Sequence, residues 1–284
     1  SSEGLYHVIN RGNYRSWIFE TEGAKNSFER ALFEACQRSG WRLHAYCILS
    51  NHYHLCLSTP HGNLSEGMRW LQATFASRFN RFRKEKGHLF QGRFKSLVVE
   101  PGTHYRDLVD YIHLNPVRAG NVEAKLLAKY PWTSLYYFPK KKIRPAFLDP
   151  GWTDGSDAVS DSPSGWRRYL QELQLRDTAD PSEAKELDRK MCRGWCLGSR
   201  SFKEALVKDL RQNEQAVRLE GDALGDFNLT IWERSLRRCM VALGKKASDA
   251  SADPKYAGWK LAIASKLKRE TSATNAWLCA KLDM

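Results

Sequence analysis

Two histidines stand one residue apart in SNHYHLCL (residues 50–57), and YIHLNPVRAG (residues 111–120) carries a tyrosine and an asparagine four apart. Side chains alternate faces along a strand, so His52 and His54 share one side while Tyr53 and Leu55 take the other. Two imidazoles on one side can grip a divalent cation, although the same spacing fits two ordinary hydrogen-bonded sheet histidines. On a helix, Tyr111 and Asn115 fall on one face. A tyrosine hydroxyl, with a free pKa of about 10, is a weak nucleophile that needs a polarised electrophile. A cation held by His52 and His54, with Asn115 as an oxygen donor, would polarise a phosphodiester for attack by Tyr111. The plainer alternative makes Tyr111 a helix tyrosine with its ring in the core.

A sheet and a helix must hold these groups, and the first 135 residues supply both. LYHVINRG (5–12) reads as a strand, and GAKNSFERALFEACQRSG (23–40) as an amphipathic helix closed by Gly40. WRLHAYCILS and HYHLCLST read as a hairpin turning about Asn51. A second helix runs from about Leu64 to Lys86, with Ser65 as N-cap and Gly87 as its stop. FKSLVVE is a fourth strand broken by Pro101 and Gly102, and THYRDLVDYIHLNPVRAG is a third helix ending before Pro116. The order β-α-β-β-α-β-α is that of the split βαβ, ferredoxin-like arrangement, which predicts an α+β fold with an antiparallel sheet. Residues 139–165 read as a basic, Pro-, Gly- and Ser-rich linker, and residues 166–284 as all-α. The expected division is therefore 1–138, 139–165 and 166–284. The last helix, turn (270–272) and helix fit either the start of a helix-turn-helix cut short at Met284 or a plain αα-hairpin.

The 284 residues carry a formal charge of +13, which suits a polyanionic partner. Lys and Arg outnumber Asp and Glu by 18 to 11 over residues 1–139 and by 4 to 1 over 140–150, but only by 23 to 20 over 151–284. The excess thus sits on the first half. No apolar run approaches the roughly 18 residues of a membrane span, and the first residues lack the pattern of a secretion signal. A soluble cytoplasmic protein with no membrane partner is expected. Seven irregularly spaced cysteines argue for reduced thiols. Cys192 and Cys196 lack a second pair at zinc spacing and read as buried thiols.

Four blocks, HVINRGN, SNHYHLCL, GHLFQGRFKS and YIHLNPVRAG, in this order over about residues 5 to 135, resemble the REP-associated tyrosine transposases, relatives of the bacterial single-tyrosine HUH transposases. The resemblance implies a metal-dependent DNA nuclease and ligase. Mg²⁺ or Mn²⁺ would be held by His52, His54 and Asn115. Tyr111 would attack single-stranded DNA beside REP-like hairpins, forming a 5′-phosphotyrosine link and freeing a 3′-OH that can later reverse the step without ATP. It further implies a bacterial, nucleoid-associated protein, acting as a monomer with its site in cis, with a dimer as the alternative. Tyr53 departs from the family, which usually has an aliphatic residue there; strand alternation gives it a packing role.

Around this site lie candidate DNA contacts: Arg11, Gln91, Arg93, Lys95, Arg118, and the helix cations Arg78, Arg81, Arg83, Lys84 and Lys86. Phe75, Phe79 and Phe82 fall at i, i+4 and i+7 and predict the buried stripe of the second helix. Two other classes remain open from sequence: a non-catalytic DNA-binding regulator, and a metal-dependent phosphodiesterase that uses water. Only the transposase reading needs the Tyr111 hydroxyl.

Overall fold

The structure is a computed structural model that describes residues 4–153, 159–176, 181–212, 219 and 221–284. The chain divides into two compact units, Ser1–Cys192 and Arg193–Met284.

The first unit opens with β1 (Gly4–Arg11), α1 (Glu22–Ser39), β2 (Arg42–Ile48), β3 (His52–Thr59), α2 (Leu64–Arg83), β4 (Lys95–Val99) and α3 (Thr103–Arg118). Strand order in this unit is β2-β3-β1-β4, and each neighbouring pair is antiparallel. This is the expected ferredoxin-like order. β1 and β3 are central, and both are rich in Val, Ile, Leu and aromatic residues that suit a sheet covered on both faces. Tyr53 packs against Phe19 edge to face and against Phe28 at a tilt on one face, where α1 and α2 lie. His54 faces Tyr111 of α3 on the other.

Local chemistry sets the helix ends. Thr21 caps α1 by accepting from the Ala24 N–H, and Gly40 closes it in the left-handed region at φ 65°, where glycine carries no Cβ penalty. α2 starts at Leu64 as expected, but Asn63 rather than Ser65 stands before its first turn. The Asn63 amide accepts from the Trp41 indole and donates to the Ser39 carbonyl, tying the start of α2 to the end of α1. Gly67 keeps this seam close, since a Cβ there would lie 2.1 Å from the Trp41 ring. α2 ends at Arg83, with Lys84 left-handed, before Gly87 is reached. Phe75 is buried and Phe79 half-buried, but Phe82 is 87% exposed; it lies in the last turn, past the aromatic cluster that receives Phe75. α3 likewise departs from expectation by running through Pro116 to Arg118. A proline removes one N–H but keeps a helical φ, and Ala119 N–H still donates to the Asn115 carbonyl beyond it.

The first unit continues with α4 (Ser134–Tyr137), α5 (Pro163–Arg176) and α6 (Pro181–Cys192). Much of the stretch expected as a linker contributes core: Leu148, Trp152 and Val159 are buried, while 154–158 lie outside the described residues. The backbone at Phe147 and Asp149 bonds to Leu43 of β2. Trp152, Trp166, Tyr169 and Phe138 pack around the buried His113 of α3. Burial of Trp152 in this aromatic cluster outweighs the Gly, Ser and Pro content of the segment.

The second unit contains β5 (Cys196–Leu197), α7 (Arg200–Gln212), α8 (Gly221–Ala242), α9 (Asp249–Ala252), α10 (Gly258–Glu270) and α11 (Asn275–Leu282). Leu236, Ile263, Leu267, Ala273, Leu278 and Leu282 form its core. Lys260 is fully buried, and its ammonium donates to the carbonyls of Ala250, Asp253 and Asp283. Among the described residues no helix is long and apolar enough to cross a membrane.

Candidate active site

β3 and α3 bring the sequence-predicted groups together. His52 and His54 share the α3 side of the sheet, with ring centroids 5.0 Å apart and planes at 77°. Tyr111 meets His54 edge to face at 5.5 Å. Asn115, one turn further along α3, is buried. Tyr53, on the opposite face, accepts a hydrogen bond from Gln72 and is fully buried among phenylalanines.

Burial holds the imidazoles neutral. His52 is pushed down to about 4 by desolvation, then by the Arg11 guanidinium, against an upward pull from Asp188. His54 is driven well below the ordinary range by burial and its neighbours His52, His7 and Arg11. Neutral imidazoles carry the lone pair a metal needs. His52 Nδ1 lies 2.6 Å from Asn51 Oδ1; with the ring N–H donated to that oxygen, Nε2 presents its lone pair, the usual outer-shell arrangement of a ligating histidine. His54 Nε2 and Asn115 Nδ2 are buried without a hydrogen-bond partner, and an amide flip exchanges the Asn115 nitrogen for an oxygen. Two imidazoles and a carboxamide therefore fit a divalent cation. Among the described residues no group of three or more His, Cys, Asp or Glu side chains could hold a metal ion.

Residues that sequence reasoning missed complete the surroundings. His7 on β1 packs its ring 5.2 Å from that of His54, and is pushed down to about 4, chiefly by burial. Tyr111 Oη donates to Asp188 Oδ1 at 2.6 Å and lies 3.2 Å from Cys192 Sγ, both on α6. Tyr111 is 2% exposed. Burial pushes its phenol far up, with further upward pushes from Cys192 and Asp188. Strand periodicity would have placed His7 on one face of β1, but the register that sets it beside His54 is not in the local sequence. Asp188 lies 77 positions from Tyr111 in a stretch that shows only helical amphipathicity.

The candidate DNA contacts separate into groups. Arg11 pairs with His52 across the sheet, Lys95 pairs with Ile9, and Arg118 lies 5.7 Å from the centre of the Tyr111 ring; these three belong to the site. The exposed Gln91 is pinned beside them by its N–H bond to the Arg11 carbonyl, and Arg93 is exposed on the same loop. Arg78, Arg81, Arg83 and Lys84 belong to α2 and its C-cap, across the sheet. Arg78 there pairs with Glu34, and Arg83 with Glu85.

Residues 1–115 match the family described as Transposase IS200 like. The chain is also similar to REP-associated tyrosine transposases: it is 24% identical over 137 residues to one from Escherichia coli K12, covering 46% of this chain and 75% of the relative. A Haemophilus influenzae Rd protein assigned to the same class is 26% identical over 131 residues, covering 42% and 73%. Among solved structures, a REP-associated tyrosine transposase bound to a REP hairpin matches with a TM-score of 0.41 at 22% identity, over 54% of this chain and 89% of that one. A transposase-class protein of Deinococcus radiodurans R1 matches at 0.31 and 19%, over 37% and 85%.

Proposed function

We propose that this chain is a metal-dependent single-stranded DNA endonuclease and strand transferase that works beside REP-like hairpins through a 5′-phosphotyrosine at Tyr111. The observation that carries this reading is the Tyr111 ring against His54, whose buried Nε2 has no partner, on a unit whose first 115 residues match a transposase family. Mg²⁺ or Mn²⁺ held by His52, His54 and Asn115 would supply Lewis-acid polarisation of the scissile phosphate.

The protein's own groups do the rest. Arg11, Lys95 and Arg118 offer positive charge to the strand, with Gln91 and Arg93 on the adjoining loop; each phosphate they neutralise steepens the salt dependence of binding. Arg78, Arg81, Arg83 and Lys84 would meet only DNA that reaches the α2 side. Asp188 and Cys192 lie against Oη, so attack follows withdrawal of α6. Oη then gives up its proton to solvent and bonds to phosphorus, the P–O3′ bond breaks, and the departing 3′-oxygen takes up a proton to leave as a hydroxyl. The phosphotyrosine ester keeps the energy of the broken link, so a 3′-OH reseals DNA by the reverse step. Contact of Tyr111 with His54 inside one chain supports a monomer with its site in cis. The helical C-terminal region, 166–284, is assigned an accessory DNA-binding role.

The test is a labelled single-stranded REP-like hairpin incubated with the protein and Mn²⁺ or EDTA, then resolved on a denaturing protein gel. A labelled adduct that needs Mn²⁺ and disappears in Tyr111→Phe, while the variant still shifts the hairpin on a native gel, is the expected result. Cleavage without any adduct would overturn the tyrosine mechanism in favour of an activated water.

A further inference from the structure

His7 lies outside the proposed ligand set, yet it ends a hydrogen-bond chain that fixes one member of that set. Its Nδ1 is 2.9 Å from the main-chain carbonyl of Met191, and its Nε2 is 3.0 Å from Nδ1 of His54. A carbonyl oxygen only accepts, so His7 Nδ1 carries the hydrogen. His7 is fully buried, and its two ring nitrogens face a neutral carbonyl and another imidazole, surroundings that disfavour a cation. A neutral ring has one N–H, so His7 Nε2 presents a lone pair. The contact to His54 then needs a donor, and only His54 Nδ1–H can supply it. That leaves His54 Nε2 as a lone pair, the same atom that is buried without a partner.

Register explains why the chain forms. His54 pairs with Ile9 across β1 and β3, so His7 is its diagonal neighbour on the same face, within reach of a side chain this long. Met191 comes from α6, whose carbonyl closes the relay from above.

We propose that His7 is a positioning residue that locks His54 in the Nδ1–H tautomer, so that its Nε2 lone pair is set toward the cation before the cation arrives. This rests on the reading of His52, His54 and Asn115 as ligands. A hydrogen-bond partner behind a ligating histidine typically contributes 10- to 100-fold in metal affinity.

Three measurements test it on the full chain without DNA. Nitrogen NMR of the metal-free protein reads the His54 tautomer, which a merely space-filling His7 would leave unconstrained. Mn²⁺ titration followed by the EPR signal of free ion reads affinity, and urea unfolding of the metal-free variants reads stability separately. Expected are a single Nδ1–H tautomer at His54, a loss of about tenfold or more in Mn²⁺ affinity in His7→Leu, and partial recovery in His7→Gln, whose amide can both donate to the Met191 carbonyl and accept from His54. An Nε2–H tautomer at His54 in the unmodified protein would overturn the proposal, and this readout stands even if His7→Leu fails to fold. So would unchanged Mn²⁺ affinity in a folded His7→Leu while His54→Ala abolishes binding, which would leave the ligand assignment intact. Mn²⁺ binding that survives both His52→Ala and His54→Ala would instead remove the ligand assignment, and the role of His7 with it.

Discussion

Tyr53 and Tyr111 differ in which side of β3 they meet, and that decides what each hydroxyl can do. Tyr53 is enclosed by Phe28 and Phe19 with Gln72 donating to its oxygen, whereas Tyr111 abuts His54. Tyr53→Phe is expected to keep adduct formation within about twofold and to cost about 1 kcal/mol of stability, the worth of one hydrogen bond. Adduct yield and the urea midpoint check both, and loss of the adduct would mean that Tyr53 takes part. That Tyr53 points away from the histidines was readable from strand alternation alone, as was the shared side of His52 and His54. His7, Asp188 and Met191 were not readable, because their roles come from strand register and from a helix folded back over more than 70 residues. The sequence also could not show that α3 would turn Tyr111 toward the imidazoles; spacing fixed only that Tyr111 and Asn115 share a face.

Helix α6 carries both contacts that close over the site: the Asp188 carboxylate on Tyr111 and the Met191 carbonyl on His7. A hydrogen bond to a charged acceptor is worth about 1.5–3 kcal/mol, so removing it should ease withdrawal of the helix. Asp188→Ala is therefore expected to form adduct about tenfold faster than the unmodified chain at saturating hairpin DNA, measured by quenched time courses; an equal or slower rate would show that Asp188 assists the attack rather than delaying it. At this scale the sequence was a good guide where periodicity was strong: β1 to β4, α1 and α2 all form in the expected order. It misled where composition and packing conflict. Trp152 sits in a Gly-, Ser- and Pro-rich background that reads as linker, yet it is buried in a cluster that only the assembled unit provides. Pro116 was read as a stop, but it falls so late in α3 that one lost N–H does not end the helix.

The first unit holds three buried imidazoles, His7, His54 and His113, and the half-buried His52 in the neutral form. His7 and His52 are pushed down to about 4, His113 to about 3, and His54 well below the ordinary value of 6.5, in each case chiefly by desolvation. Because the folded values lie below the unfolded ones, this stability is fully present above pH 6.5 and is lost as acid protonates the unfolded chain first. In EDTA, the unfolding free energy should fall between pH 6.5 and about 4, by up to about 1.4 kcal/mol per pH unit for each histidine. Urea midpoints at pH 7.5, 6 and 5 check this, and a flat profile would mean that these rings are not held neutral by the fold. The same closed unit contains its own clock. Cys192 shares its cover with Tyr111 and is pushed up to about 12, chiefly by burial, so while α6 is docked it stays a slow-reacting thiol. Its alkylation rate, read against the exposed Cys279, therefore counts how often Tyr111 comes uncovered in a molecule that has no DNA and is turning nothing over.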